Sequence, residues 1–168
     1  FQNALTLVKI LLMAFLIFFG ITLYTPDNAI NWSSSWQGEI FTPGYAVSLI
    51  YVIYAFSGWN AAAYIVEEIE TPQKNLPKAL IWGTLLVGIL FVLLQVSFLN
   101  QATIGQLKNK VDVGHVVAQI MFGQTGGSTI SLLIALLLVA SISAMVWVGP
   151  RVTQAMAREY RNWRYFAR

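Results

Sequence analysis

Four long apolar runs, separated by short polar stretches, set the pattern of the chain. Residues 5–23 (LTLVKILLMAFLIFFGITL) carry a single charge, Lys9, and at 1.5 Å per residue are long enough to cross a bilayer as a helix. Further spans are predicted over about 45–66, 79–98 and 128–148. The stretch 25–44, with Pro26, Asp27, Asn28 and NWSSSW, reads as a polar loop whose Trp32 and Trp36 suit the headgroup level. In 67–78 (EEIETPQKNLPK), Pro72 and Pro77 are predicted to stop one helix and start the next, with Asn75 as N-cap. Within the polar stretch 100–127, Val113, Val116, Val117, Ile120 and Met121 fall on one helical face. They predict a short amphipathic helix over about 112–122, lying on the protein or membrane surface and ended by Gly123. Gly149-Pro150 is expected to kink or end the last span, leaving RVTQAMAREYRNWRYFAR as a basic, aromatic segment.

The second span is unlike the others, because Ser57-Gly58-Trp59-Asn60 lies in its middle. Glycine disfavours helix by about 1 kcal/mol relative to alanine, Ser57 and Asn60 offer side-chain partners that compete with the helical ladder, and Trp59 needs an acceptor for its indole N–H. One reading is a discontinuous helix, tolerated in lipid only where it lines a protein cavity, and used by secondary transporters to hold substrate. The other is a close helix contact, with Ser57 and Gly58 as small residues and Asn60 as an interhelical hydrogen bonder. Ala61, Ala62 and Ala63 leave volume beside the break and fit either reading.

Composition settles the class. Hydrophobic residues make up 57% of the 168 and charged residues 10%, with mean hydropathy +0.65, which describes an integral membrane chain. The net charge of +3 comes with five of the ten basic residues, the arginines 151, 158, 161, 164 and 168, behind Pro150. That clustering fits a cytoplasmic flank, with anionic lipid as a contact, better than nucleic acid, for which no motif is present. The absence of cysteine excludes disulfides, thiolate metal sites and cysteine nucleophiles within these residues. No signal peptide precedes the first run, and a chain opening on Phe1 reads as a piece of a longer one. With the tail in the cytoplasm, four spans put the N-terminus and the 67–78 loop, with Lys74 and Lys78, inside as well; only Lys108 and Lys110 then lie outside.

The run FSGWNAAAYIVEEIETPQKNLPKAL resembles the sixth-helix signature of the amino acid, polyamine and organocation (APC) carriers, most nearly the L-type amino acid transporter branch and its bacterial relatives. The features that carry the likeness are the aromatic-small-Gly-Trp-Asn break, the Glu67-Glu68 pair, and the exit through Pro72 and Asn75-Leu76-Pro77. Gln2-Asn3 with Lys9 resembles the start of the fifth helix, and SISAMVWVGPRVTQAMARE the end of the eighth. The resemblance implies an all-α integral membrane fold: helices five to eight of a LeuT-type inverted-repeat transporter, with the second of these four spans broken.

It also implies roles. Around Ser57, Gly58, Trp59 and Asn60, backbone carbonyls would receive a substrate amino group, and Tyr54 matches an aromatic gate. Lys9 matches a position whose ammonium stands where sodium sits in sodium-coupled relatives, which makes it a proton carrier or a fixed cation; Ser141 and Ser143 would face the same pseudo-sodium site. Against this, a lysine roughly 7 Å below the interface can snorkel, and serines in spanning helices bond their own i−4 carbonyls. Glu67 and Glu68 lack a nucleophile or metal triad, so a catalytic pair is set aside in favour of a cytoplasmic latch to arginine or lysine, or plain surface solvation. His115 reads as structural or incidental.

The expectation is therefore not an enzyme but part of a secondary active carrier, proton-coupled or exchanging, that moves amino acids by alternating access. It would need no cofactor or metal, and its partners would be the amino acid, membrane lipid and the remaining helices of the carrier. A bacterial inner membrane is expected. The alternatives are a polyamine or organic cation carrier, or a non-transporting subunit or truncated relic. Neither the particular amino acid nor an oligomeric state is set by these residues.

Overall fold

The fold is known from a computed structural model, which describes residues 2–23, 38 and 40–159; Trp32, Trp36, Arg161, Arg164 and Arg168 lie outside the described residues. The described elements are α1 (Gln2–Thr22), α2 (Pro43–Ala55), a 3₁₀ segment (Ser57–Glu68), α3 (Pro72–Gln101), the single turn α4 (Ile104–Leu107) and α5 (Val113–Glu159). There is no strand among them. Four stretches are long and apolar enough to cross a membrane: Gln2–Thr22, Pro43–Val66, Pro72–Gln101 and Val113–Arg151. The residues cluster into two compact units, one of Phe1–Ile30 with Val87–Ala144, the other of Asn31–Leu86 with Met145–Arg168.

In the first unit, polar side chains do what water does elsewhere. The carbonyls at the end of α1 have no partner within their own helix, and in lipid they must find one. Asn100 Nδ2 donates to Gly20 O (3.1 Å), while Gln101 Nε2 donates to Gly20 O (2.9 Å) and to Leu23 O. The fully buried Ser97 donates its hydroxyl to Leu16 O (2.9 Å), with Gly20 directly against it. These bonds explain a difference from the sequence pattern. Residues 100 and 101 were expected to open a loop after a span ending at 98, yet α3 continues to Gln101 because its amides cap α1.

At its other end α3 begins at Pro72, where a missing N–H costs nothing, and Pro77 lies inside the helix. Asn75 is not the N-cap but a residue of the first turns, with its amide folded back onto the preceding loop. Pro150 likewise ends nothing. It removes the N–H that would serve Val146, but α5 runs through it to Glu159, as membrane helices allow.

The break inside α5 is at Gly123 (φ 75°, ψ −176°), a left-handed φ that only glycine adopts freely. There the chain doubles back, so that Val113–Phe122 lies along the start of the long apolar run as a helical hairpin. Val117 and Ala118 are wholly buried in a core with Leu16, Phe98, Ala102 and Ile130, and Phe122 stacks on Phe15 at 5.6 Å. The amphipathic segment thus lies on protein.

Its first turn is tied to the run behind it. Asp112 Oδ1 accepts from His115 N (2.9 Å), capping the helix, and Asp112 Oδ2 accepts from Ser131 Oγ (3.0 Å). Since a carboxylate only accepts, Ser131 gives its one proton to Asp112, and His115 Nδ1, 2.9 Å from Ser131 Oγ, is the donor to it. His115 is a structural residue here.

Candidate functional site

The second unit contains the interrupted span. Thr42 caps α2, with Pro43 at its first position, and the helix ends at Ala55. Phe56 leaves the helical dihedrals (φ −95°, ψ 3°) while its N–H still bonds Val52 O and Ile53 O (3.2 Å each), and from Ser57 the chain winds as a 3₁₀ helix to Glu68, with a further non-helical residue at Ile65 (φ −114°, ψ 15°). Twelve residues is long for this conformation, which seldom exceeds a turn and often marks a functional hinge. The residues explain where it starts: Ser57 donates its hydroxyl to Tyr54 O (2.7 Å), competing with the ladder at the point where Gly58 offers least support for it.

The three-residue period puts Ser57 and Asn60 on one row and Gly58 and Ala61 on the next. Tyr54, Ser57, Gly58, Trp59 and Asn60 are all exposed, Tyr54 at 79% and Trp59 at 62%. A Cβ built on Gly58 meets nothing within 4 Å. Ser57 and Asn60 therefore share one polar wall of the broken helix, Gly58 and Trp59 face other directions, and Tyr54 lies one turn before the break.

Below this wall the 3₁₀ segment is tied to α5. Arg151 Nη1 lies 2.6 Å from Glu68 Oε1, and the guanidinium sits over the Trp147 ring, 4.8 Å from its centroid. Both charged side chains are about 40% exposed, so the pair contributes modestly, about 0.2–1 kcal/mol. That is the size of contact that breaks and re-forms readily. The Glu67 side chain lies outside the described residues. The arginine partner of Glu68 was not named from sequence, although the i, i+4 spacing of Trp147 and Arg151 is a readable sign of a positioned guanidinium.

The first unit contains a charged group inside an apolar span. Lys9 is half-buried in α1 and donates to Ser141 Oγ at 2.6 Å, while Ser141 donates onward to Leu137 O at 3.3 Å. Two readings that compete in the sequence are thus compatible: Ser141 bonds its own i−4 carbonyl and also receives the ammonium. Ser143 is exposed and stands outside this bond. No group of three or more metal-ligating side chains occurs among the described residues.

Comparison with known proteins decides the family: the profile described as "Amino acid permease" matches residues 1–167. The chain belongs to the amino acid permease family. This permease chain is 35% identical over 108 residues to the human b(0,+)-type amino acid transporter 1, a match covering 63% of the chain and 22% of that relative. It is 26% identical over 160 residues to the serine/threonine exchanger SteT of Bacillus subtilis, covering 93% of the chain and 35% of the exchanger. A methylthioribose transporter of Bacillus subtilis is 26% identical over 166 residues, with 95% of the chain and 33% of the relative covered. The chain thus spans between about a fifth and a third of the length of these relatives. No solved structure matches it significantly. The helices and the family together make it an integral membrane protein whose relatives are transporters.

Proposed function

We propose that these residues are helices five to eight of a secondary carrier that moves amino acids by alternating access, and that the break after Ala55 lines the substrate site. The interruption of the second span carries the reading. A helix that stops in mid-membrane leaves backbone polar groups turned toward whatever fills the space beside it, and an amino acid supplies both a donor and an acceptor for them. Substrate contacts are assigned to Ser57, Gly58, Trp59 and Asn60, and the covering aromatic to Tyr54. The exposure of all five is supportive, since helices outside this chain would complete the cavity. Lys9 with Ser141 forms a fixed cationic joint in place of a sodium ion, without Ser143, and Glu68 with Arg151 forms the inner latch. The spans follow the apolar runs, and the excess of arginine after Pro150 supports a cytoplasmic tail and N-terminal side. A bacterial plasma membrane is supported by the Bacillus exchanger, which matches nearly the whole chain.

Gly58→Leu tests the lining role. A Cβ on Gly58 meets nothing within 4 Å in this chain, so the variant keeps the packing of these helices, and its amount in the membrane is measured alongside uptake. In the complete carrier, reconstituted in liposomes, its uptake of labelled amino acid falls at least about tenfold, equivalent to ~1.4 kcal/mol. Unchanged uptake would remove Gly58 from the site. The methylthioribose relative favours a second reading, a cargo that is not an amino acid, and a panel including that compound and polyamines decides between them. For the latch, Arg151→Glu slows uptake about two- to fivefold, as loss of a half-exposed pair should, and adding Glu68→Arg restores it. Failure of the double reversal to recover would exclude the pair from the transport cycle.

A further inference from the structure

One residue between the second and third spans is in a backbone conformation that its chemistry opposes. Thr71 has φ 47°, and among the described residues the only other non-glycine with positive φ is Asn109 (φ 64°), a residue type that visits this region routinely. Thr71 is β-branched, for which positive φ is an outlier, and it precedes Pro72, whose ring pushes its predecessor toward extended conformations. Such strain persists only where surrounding contacts over-determine it. Those contacts are present. Thr71 O accepts from Lys74 N (3.0 Å) and Asn75 N (3.1 Å), and Asn75 Nδ2 reaches back to Glu70 O (2.6 Å) and Thr71 Oγ1 (3.1 Å). Three residues upstream, the Glu68–Arg151 pair fixes the end of the 3₁₀ segment, and Ile69 N–H still bonds Val66 O (3.1 Å).

We propose that the elbow from Glu68 to Asn75 is a conformational spring: Thr71 stores backbone strain, the Asn75 amide and the Glu68–Arg151 pair hold it, and breaking the pair lets Thr71 relax toward the extended conformation a pre-proline residue prefers. Relaxation swings the 3₁₀ segment on the rigid start of α3, and with it the wall at Ser57–Asn60. This deepens the alternating-access reading and rests on it for its purpose, though not for its mechanics. A weak ion pair suffices as the trigger because the strain opposes it continuously. Asn75, unremarkable as a helix residue, becomes the retaining catch.

The test is hydrogen exchange of the backbone amides of residues 57–70 in the complete carrier in lipid nanodiscs. Thr71→Asn relieves the strain while keeping a polar side chain, so exchange in this stretch slows about tenfold. Thr71→Val keeps the strain but removes the Oγ1 acceptor, and Asn75→Ala removes the catch; both speed exchange. Where the asparagine variant fails to insert, Thr71→Gly relieves the same strain with a smaller slowing, because glycine also frees the opened chain. Exchange that is unchanged or faster in the relieving variants overturns the proposal. The readout needs no transport: slowed exchange in a carrier that moves no amino acid would keep the spring and sink the function, and the reverse outcome would sink the spring alone.

Discussion

Replacing Lys9 with alanine in the complete carrier abolishes amino acid uptake without reducing the amount of protein in the membrane. Lys9 Nζ donates to Ser141 Oγ at 2.6 Å, and Ser141 passes the contact to Leu137 O, so one ammonium connects α1 to the backbone of α5. A hydrogen bond to a charged group contributes about 1.5–3 kcal/mol, more than any other polar contact between these two helices would supply. In a carrier that must choose between two arrangements, losing that amount moves the equilibrium about ten- to a hundredfold. Initial uptake rates, normalised to membrane protein, measure the effect. Ser141→Ala loses the same bond but keeps the charge, and is expected to be milder. A lysine that merely snorkels to the headgroups would be replaceable, so normal uptake by the alanine variant contradicts the role given to it here.

Gly20→Leu is expected to be the most destabilising single change in the first unit. A Cβ at this position would overlap Ser97 Oγ and lie 2.9 Å from Ser97 Cβ, and Ser97 is fully buried. The side chain would push α3 from α1, and the separation would break Ser97 to Leu16 O together with the two amides on Gly20 O. Overpacking costs about 1–3 kcal/mol and each interhelical bond in a membrane roughly 0.6, so the total is about 3–5 kcal/mol. The fraction of complete carrier that stays monodisperse on heating in detergent should fall sharply. Gly20→Ala is milder, and Gly20→Ala with Ser97→Ala milder still. Gly83→Ala, where the added Cβ meets nothing, is the control and should leave stability unchanged.

Much of this was readable in the residues. The four membrane-length stretches follow the apolar runs, because length and hydropathy alone decide what can cross lipid. The interruption at Ser57-Gly58 was legible because its residues compete with a helix locally, and local competition needs no knowledge of the fold. What could not be read depended on partners distant in sequence. Asn100 and Gln101 look like loop residues until the end of α1 supplies Gly20 O and Leu23 O for them. Pro150 looks like a helix stop by a rule set in water, where a freed carbonyl and a loop are both cheap. His115 gives no sign in sequence that Ser131 lies beside it. The strain at Thr71 was equally hidden, since threonine before proline reads as extended chain.

If the broken span lines the site of an amino acid carrier, the complete protein moves amino acids across a bilayer. The most direct test is uptake of labelled neutral amino acids by liposomes containing the complete purified carrier, with and without unlabelled amino acid inside. Saturable uptake is expected, competed by other amino acids of the accepted class and lost on Gly58→Leu. Uptake no greater than that of protein-free liposomes, across the panel of amino acids and under an imposed proton gradient, would contradict it.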